Sequence, residues 1–226
     1  GQSEPKFDLT DLFYRRRIVL VNLNKGIIGA ESARLLGSMI VSLTWTLALS
    51  RASVPPERRH IISVIIDELQ DYLALPTDLS DALAQTRGLG VGITMAHQYR
   101  DQLPPNIRAG IDANCHNKII FGLNSGDARD MAAMAPELTA QDFMSLPRYQ
   151  VYTTFQNGGR STGWIKGQTL PSPATLRTAA ELKAQSMATY GKPAEEVEKE
   201  YLEMLESVDA SDTDLSDSTI GRRKLP

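Results

Sequence analysis

The sequence predicts an α/β protein: a mostly parallel sheet flanked by helices, with an edge hairpin and a C-terminal helical appendage. Three observations carry this. Short apolar runs alternate with stretches of helical spacing over the first two thirds of the 226 residues, the pattern of a sheet built through helical crossovers. "RYQVYTTFQNGGRSTGWIKG" (148–167) reads as two strands about the turn "NGG", a hairpin signature. Beyond "LPSP" the composition turns to Ala, Glu, Lys and Gln, which favours helices over strands.

The elements follow in order. "RRRIVLVNL" (15–23) is an apolar run bounded by charge and by "NKGIIG", and predicts a strand buried on both faces. A long helix is expected from Ala30 to Ser50. Its run Leu35–Leu49 is interrupted by Ser38, Ser42, Thr44 and Thr46, falls short of the roughly 18 to 20 apolar residues of a bilayer span, and reads as a buried core helix. "VPPERRH" breaks it, and "IISVIIDE" (61–68) is the next buried strand. Leu79, Ala82, Leu83 and Thr86 share helical spacing between Thr77, the expected N-cap, and Arg87, and Gly88 and Gly90 end that helix. "VGITMA" (91–96) predicts a third strand, "PPNIRAGI" a helix with Pro in its first turn, and "NKIIFGL" (117–123) a fourth strand. "NSGDARDMAAMA" predicts a further helix capped by Ser125 or Asp127. This domain is expected to span 1–171, followed by helices near 174–189 and 193–207 as an appendage (172–207). An acidic, Ser-rich tail (208–226) is expected to be disordered.

Composition narrows the function classes little. With 42% hydrophobic and 23% charged residues and a net charge of -3, the chain has an ordinary globular balance that demands no nucleic acid. One cysteine, Cys115, excludes an internal disulfide framework and fits a reducing, cytoplasmic setting. The first residues, "GQSEPKFDL", lack the basic and apolar regions of a signal peptide and read as a cut inside a larger protein.

Chemistry is expected at the carboxyl ends of the parallel strands, where loops and helix N-termini converge. The second strand ends in Asp67 and Glu68, and the third runs into His97 and Gln98. In a nucleotide triphosphatase, Asp67 would accept from a magnesium-bound water and Glu68 would orient or deprotonate the attacking water. Gln98 would sense the terminal phosphate, since an amide both donates and accepts. The bland alternative makes Asp67 a turn cap and Glu68 the partner of a surface arginine. Arg87, at the end of its helix, suits the helix dipole, or serves as an arginine finger to a neighbouring subunit. "GLGVG" (88–92) precedes its strand and cannot cradle a phosphate, and "GKP" (191–193) lacks the rest of a phosphate loop.

Taken together, these stretches resemble the C-terminal half of the motor domain of conjugative coupling proteins of type IV secretion, within the hexameric DNA-pumping ATPases. The resemblance covers roughly residues 7–168: "VIIDELQDY" is similar to the Walker B strand, "LAQTRGLGVGITMAHQYRDQL" to the stretch from finger helix to glutamine-bearing strand, and "FGLNSGDARDMA" and "LPRYQVYTT" to the closing strands. It implies a RecA-like fold, ATP and magnesium as cofactors, Asp67 and Glu68 as Walker B, Arg87 as a trans-acting finger and Gln98 as sensor. It also implies a homo-oligomeric ring, single-stranded DNA and a relaxase complex as partners, and a membrane tether N-terminal to this region. Arg100 or Lys118 would face a central channel. The family usually has a basic residue after the arginine, where this chain has Gly88, and its Walker A loop is absent, so the chain alone should hardly hydrolyse ATP. The competing expectation is a non-catalytic adaptor that recruits partners through its C-terminal helices.

Overall fold

The computed structural model describes residues 6–73 and 79–213, with the side chains of 79–81 and 207–213 left aside. Thr77 and the tail from 214 lie outside the described residues. Two compact units divide the chain, Leu9–Ser172 and the combination of Gly1–Asp8 with Pro173–Pro226.

The larger unit runs α1 (Asp11–Tyr14), α2 (Lys25–Ile28), α3 (Ala30–Ser50), β1 (Ile62–Ile66), α4 (Leu79–Thr86), β2 (Val91–Met95), α5 (Pro105–Asn114), β3 (Lys118–Ile120), α6 (Ser125–Ala133), α7 (Ala140–Met144), β4 (Gln150–Thr154), β5 (Gln156–Asn157), β6 (Arg160–Ser161) and β7 (Ile165–Gln168). β1 and β2 pair in parallel, Ile62 opposite Val91 through Ile66 opposite Met95. β3, β4 and β7 form a separate antiparallel sheet. The small β5–β6 ladder closes the hairpin tip, where Gly158 and Gly159 take φ of 59° and 81°, values that side chains with a Cβ rarely adopt.

Alternation along the parallel strands decides which face is covered. Ile62, Val64 and Ile66, with Val91, Ile93 and Met95, join two apolar clusters that take in Trp45 of α3, Ala82 and Leu83 of α4, and Ile107 of α5. The other face, Ser63, Ile65, Gly92 and Thr94, is exposed. The antiparallel sheet has its own core, in which Phe143 meets Tyr152 and Trp164 edge to face at 5.4 and 5.7 Å. In the smaller unit, α8 (Ala179–Tyr190) and α9 (Ala194–Thr213) flank a turn where Phe7 stacks edgewise on Tyr190 at 5.7 Å and Lys192 pairs with Glu200 at 2.6 Å.

Four expectations are corrected. Residues 15–23 form no ladder; Ile18 and Leu20 are 91% and 80% exposed. A strand exists only through its partner's hydrogen bonds, and here a cavity of about 1190 Å³ lies between this segment, α3 and β1. α3 has the predicted bounds but is not buried all round. Ala33, Gly37, Ser38 and Ala48 are buried, while Leu35, Leu36, Met39 and Leu43 lie open. Together with the turn to Ser53 it spans 24 residues at a mean hydropathy of 1.3 and is long and apolar enough to cross a membrane by length and composition alone, because interspersed Ser and Thr dilute hydropathy less than charges do. The cap of α6 is Asn124, one residue earlier than expected: its backbone is extended and its side chain accepts from Gly126 N and Asp127 N. Finally, α9 continues to Thr213, past the expected start of the tail, since extending a helix adds one hydrogen bond per residue fixed.

Two buried contacts hold the loops at the carboxyl ends of β1 and β2. Tyr72, in the 3₁₀ turn Leu69–Tyr72 after β1, sits in a notch made by Gly37; a Cβ there would lie 2.2 Å from the ring. Arg100, buried after β2, forks onto Asp112 of α5 at 2.9 and 2.6 Å and reaches Asp130 of α6 at 3.1 Å. Its backbone N–H donates to Asp127 at 3.1 Å. The hydrogen bond from Arg100 holds Asp112 below the usual carboxylate range, and the same bond raises Arg100.

Gly37→Val should therefore overpack the notch and lower stability by about 2 kcal/mol, read as a lower denaturant midpoint at unchanged slope. Asp112→Asn should cost roughly 2 to 3 kcal/mol, at or below the roughly 3 to 5 kcal/mol of a fully buried broken pair because Asp112 retains some exposure. The folded pKa of Asp112 is depressed, so its contribution is present above the unfolded value near 3.8 and is lost as pH falls through the folded value. The gap between wild type and Asp112→Asn should accordingly close below about pH 3.8 in denaturation series.

Candidate active site

The site grows from the way β1 and β2 end together. Past the paired residues, Ala96 N donates to Ile66 O and Leu69 N to Ala96 O, both at 2.9 Å, so the two chains stay joined for one step beyond the ladder. Between those bonds the backbone turns sharply. Glu68 has φ 52° and ψ 51°, a left-handed conformation costing a residue with a Cβ on the order of 1 kcal/mol. It directs the Glu68 side chain across the strand ends.

There the Glu68 carboxylate meets two amides. Gln98 Nε2 donates to Oε1 at 2.8 Å, and Gln70 Nε2 donates to Oε2 at 2.5 Å. The Gln98 bond first, then the Gln70 bond, stabilises the ionised form and holds Glu68 below the usual carboxylate range. Asp67 is exposed; its Oδ1 accepts from Glu68 N at 3.0 Å. Asp71 pairs with Lys25 at 2.5 Å, and that hydrogen bond raises the Lys25 pKa. The Gln98 loop is held in turn by Gln102, whose Oε1 accepts from Gln98 N and Tyr99 N at 3.3 and 3.2 Å. His97 beside it is pushed down, first by burial and then by Arg100.

The structure thus brings Asp67, Glu68 and Gln98 to one edge of the parallel pair. It does not bring Arg87 there. Arg87 is exposed in the turn between α4 and β2, before the first residue of β2. The length of that strand, roughly 13 Å at the usual rise, separates it from the site at the other end. Arg100 and Lys118, expected to face a channel, are placed elsewhere. Arg100 is buried in its carboxylate fork, and Lys118 is half-buried, with Nζ donating to the Cys115 carbonyl and its pKa lowered by burial. Neither is free to line an aqueous passage, because each cation is committed to acceptors inside the unit.

Gln70 and Lys25 were missed by sequence reasoning. An amide two residues past a carboxylate is common in loops, and Lys25 lies far upstream of Asp71 with no local signal to link them. Chemically, the exposed Asp67 carboxylate suits a water-mediated hold on a hard dication, and the two amides on Glu68 favour its ionised form. No group of three or more His, Cys, Asp or Glu residues arranged to hold a metal occurs among the described residues. A cation here would need phosphate oxygens or water to complete its shell.

No family model and no curated protein matches the sequence. Solved structures do. The plasmid coupling protein TrwB in complex with ADP and Mg2+ aligns with a TM-score of 0.54 and 18% identity over 67% of this chain and 40% of that one. TrwB in complex with the non-hydrolysable GTP analogue GDPNP gives 0.53 and 18% over the same shares. The unbound monoclinic form of the bacterial conjugative coupling protein TrwBdeltaN70 gives 0.51 and 17%, over 63% and 39%. This chain spans about 40% of the TrwB chains it matches. At such identities the likeness is one of fold: the chain has, in part, the RecA-like α/β fold of this plasmid coupling protein.

Proposed function

We propose that this chain is the water-activating, Walker B half of an ATP-driven DNA translocase of the conjugative coupling kind, its phosphate-holding half being supplied by sequence outside these 226 residues. The observation that carries the reading is the 2.8 Å bond between Gln98 and Glu68 across the ends of two parallel strands. A carboxylate and an amide so joined meet at the strand tips, and when the amide swings away the carboxylate oxygen it leaves can accept from a water. Support comes from the fold shared with a coupling protein solved with ADP and Mg2+, and from the absence of a G-x-x-x-x-G-K-[ST] loop anywhere in the sequence.

Bound ATP and magnesium would supply the electrophilic phosphorus and the charge neutralisation of phosphoryl transfer. Asp67, its carboxylate exposed, would hold that magnesium through a water. Glu68, kept ionised by its amides, orients the attacking water and takes its proton. Gln98 turns its amide from Glu68 to the terminal phosphate and so reports occupancy to the loop after β2. Arg87, a strand length away from its own site, acts only on a neighbouring subunit's phosphate, which makes the working form a homo-oligomeric ring. Single-stranded DNA and a relaxase complex are the cargo in this reading, and the setting is the cytoplasmic face of the membrane. A non-catalytic adaptor is the second reading, favoured by the exposed Met187, Tyr201, Leu202 and Met204 of the C-terminal helices.

Glu68→Gln in the intact protein should lower ATP turnover by roughly 10² or more while ATP binding persists, the usual loss for a missing general base. Arg87→Ala should lower turnover by a further distinct route, rescued in part by mixing with Glu68→Gln subunits that retain Arg87. This chain alone should show no turnover. Steady-state phosphate release with and without single-stranded DNA is the measurement. An intact wild-type protein without turnover, or an unaffected Glu68→Gln variant, would leave the adaptor reading standing.

A further inference from the structure

The two amides on Glu68 are anchored very differently. Gln70 belongs to a turn fixed at three points: Leu69 is fully buried and bonded to Ala96 O, Asp71 is paired to Lys25 at 2.5 Å, and Tyr72 is seated in the Gly37 notch. Gln98 lies on a loop held by Gln102 and, two residues on, by buried Arg100, but its own side chain is exposed. One amide belongs to a half-buried side chain within that pinned turn, the other to a side chain open to solvent.

We propose that Gln70 is a positioning residue of this site: it pins Glu68 Oε2 throughout, so that departure of Gln98 frees Oε1 alone and aims it at one water. The proposal rests on the hydrolase reading above and deepens it. A carboxylate held by two donors has no oxygen free of a protein donor facing the strand ends, and one held by none rotates about its terminal torsion, which is broad and roughly two-fold. Held by one fixed donor, it keeps its plane while one oxygen becomes available. That is the condition for a base within hydrogen-bond reach of its water. The left-handed backbone of Glu68 serves the same end, because it turns the side chain toward Gln70 within the turn and toward Gln98 across it.

The test uses Gln70→Met, which approximates glutamine in length but has no donor, beside Gln70→Leu. In the intact protein both should lower kcat on the order of tenfold, the scale of one hydrogen bond to a charged group, with KM for ATP and thermal midpoint unchanged. Undiminished kcat in Gln70→Met overturns the proposal, and so does a joint change in kcat, KM and midpoint, which marks a merely structural role. A second measurement is independent of turnover. In this chain, the Gln70 and Gln98 side-chain amide resonances should both shift in Glu68→Ala, and the Gln70 amide should be the more protected from exchange in the wild type. If the Gln70 resonance is unmoved, or the order of protection is reversed, the pin does not exist. If the intact wild-type protein does not hydrolyse ATP, the hydrolase reading falls and the amide resonances alone decide whether Gln70 pins Glu68.

Discussion

The parallel ladder between Ile62–Ile66 and Val91–Met95 is the constraint on which the rest of the molecule depends. Its five matched pairs end level, so whatever follows each strand emerges at the same height. Parallel strands alone place chemically distinct loops side by side at one edge, because both chains run out in the same direction. An antiparallel pair would have sent the Asp67–Glu68 turn and the Gln98 loop to opposite ends. The covered face of the ladder, packed on α3, α4 and α5, sets the pair's tilt and thereby the distance across its tips.

Given that placement, two separate devices make the loops precise. On the β1 side the restraint is mainly apolar and steric, an aromatic ring lodged where a glycine leaves space, with the Lys25–Asp71 pair beside it. On the β2 side it is ionic: Arg100 draws carboxylates from α5 and α6 onto a single guanidinium, whose planar fork fits Asp112 through two bonds at once. An apolar restraint is indifferent to salt and pH, whereas the ionic one depends on Asp112 keeping its charge. The two halves of the site therefore rest on supports of different chemical sensitivity.

Much of this was legible in the sequence, and the reasons it was or was not are physical. β1 and β2 declared themselves through short β-branched runs stopped by polar residues, and α5 through proline at its start. Asp67, Glu68 and Gln98 could be grouped because the strand–helix–strand pattern puts successive strand ends on one edge. What failed was whatever depended on a partner remote in sequence. The run at 15–23 has the composition of a strand but found no ladder, since composition cannot supply the neighbour's hydrogen bonds. Arg100 looked like a surface cation because its three acidic partners are spread over α5 and α6. Gln70 lay inside the quoted motif and still escaped notice, for its role arises from a backbone turn at Glu68 that a non-glycine residue rarely makes.

The bare side of the parallel pair carries a colloidal consequence. Ile65 is 77% exposed there, the second edge of β1 faces only the cavity, and Ile18 and Leu20 lie open nearby. Strand edges of this kind recruit other strands, and a net charge of -3 over 226 residues offers little long-range repulsion against it. At raised concentration, molecules of this chain should be drawn together edge to edge. A lysine placed at Ile65 or Ile18 would oppose that association without touching the carboxylate and amides at the strand tips.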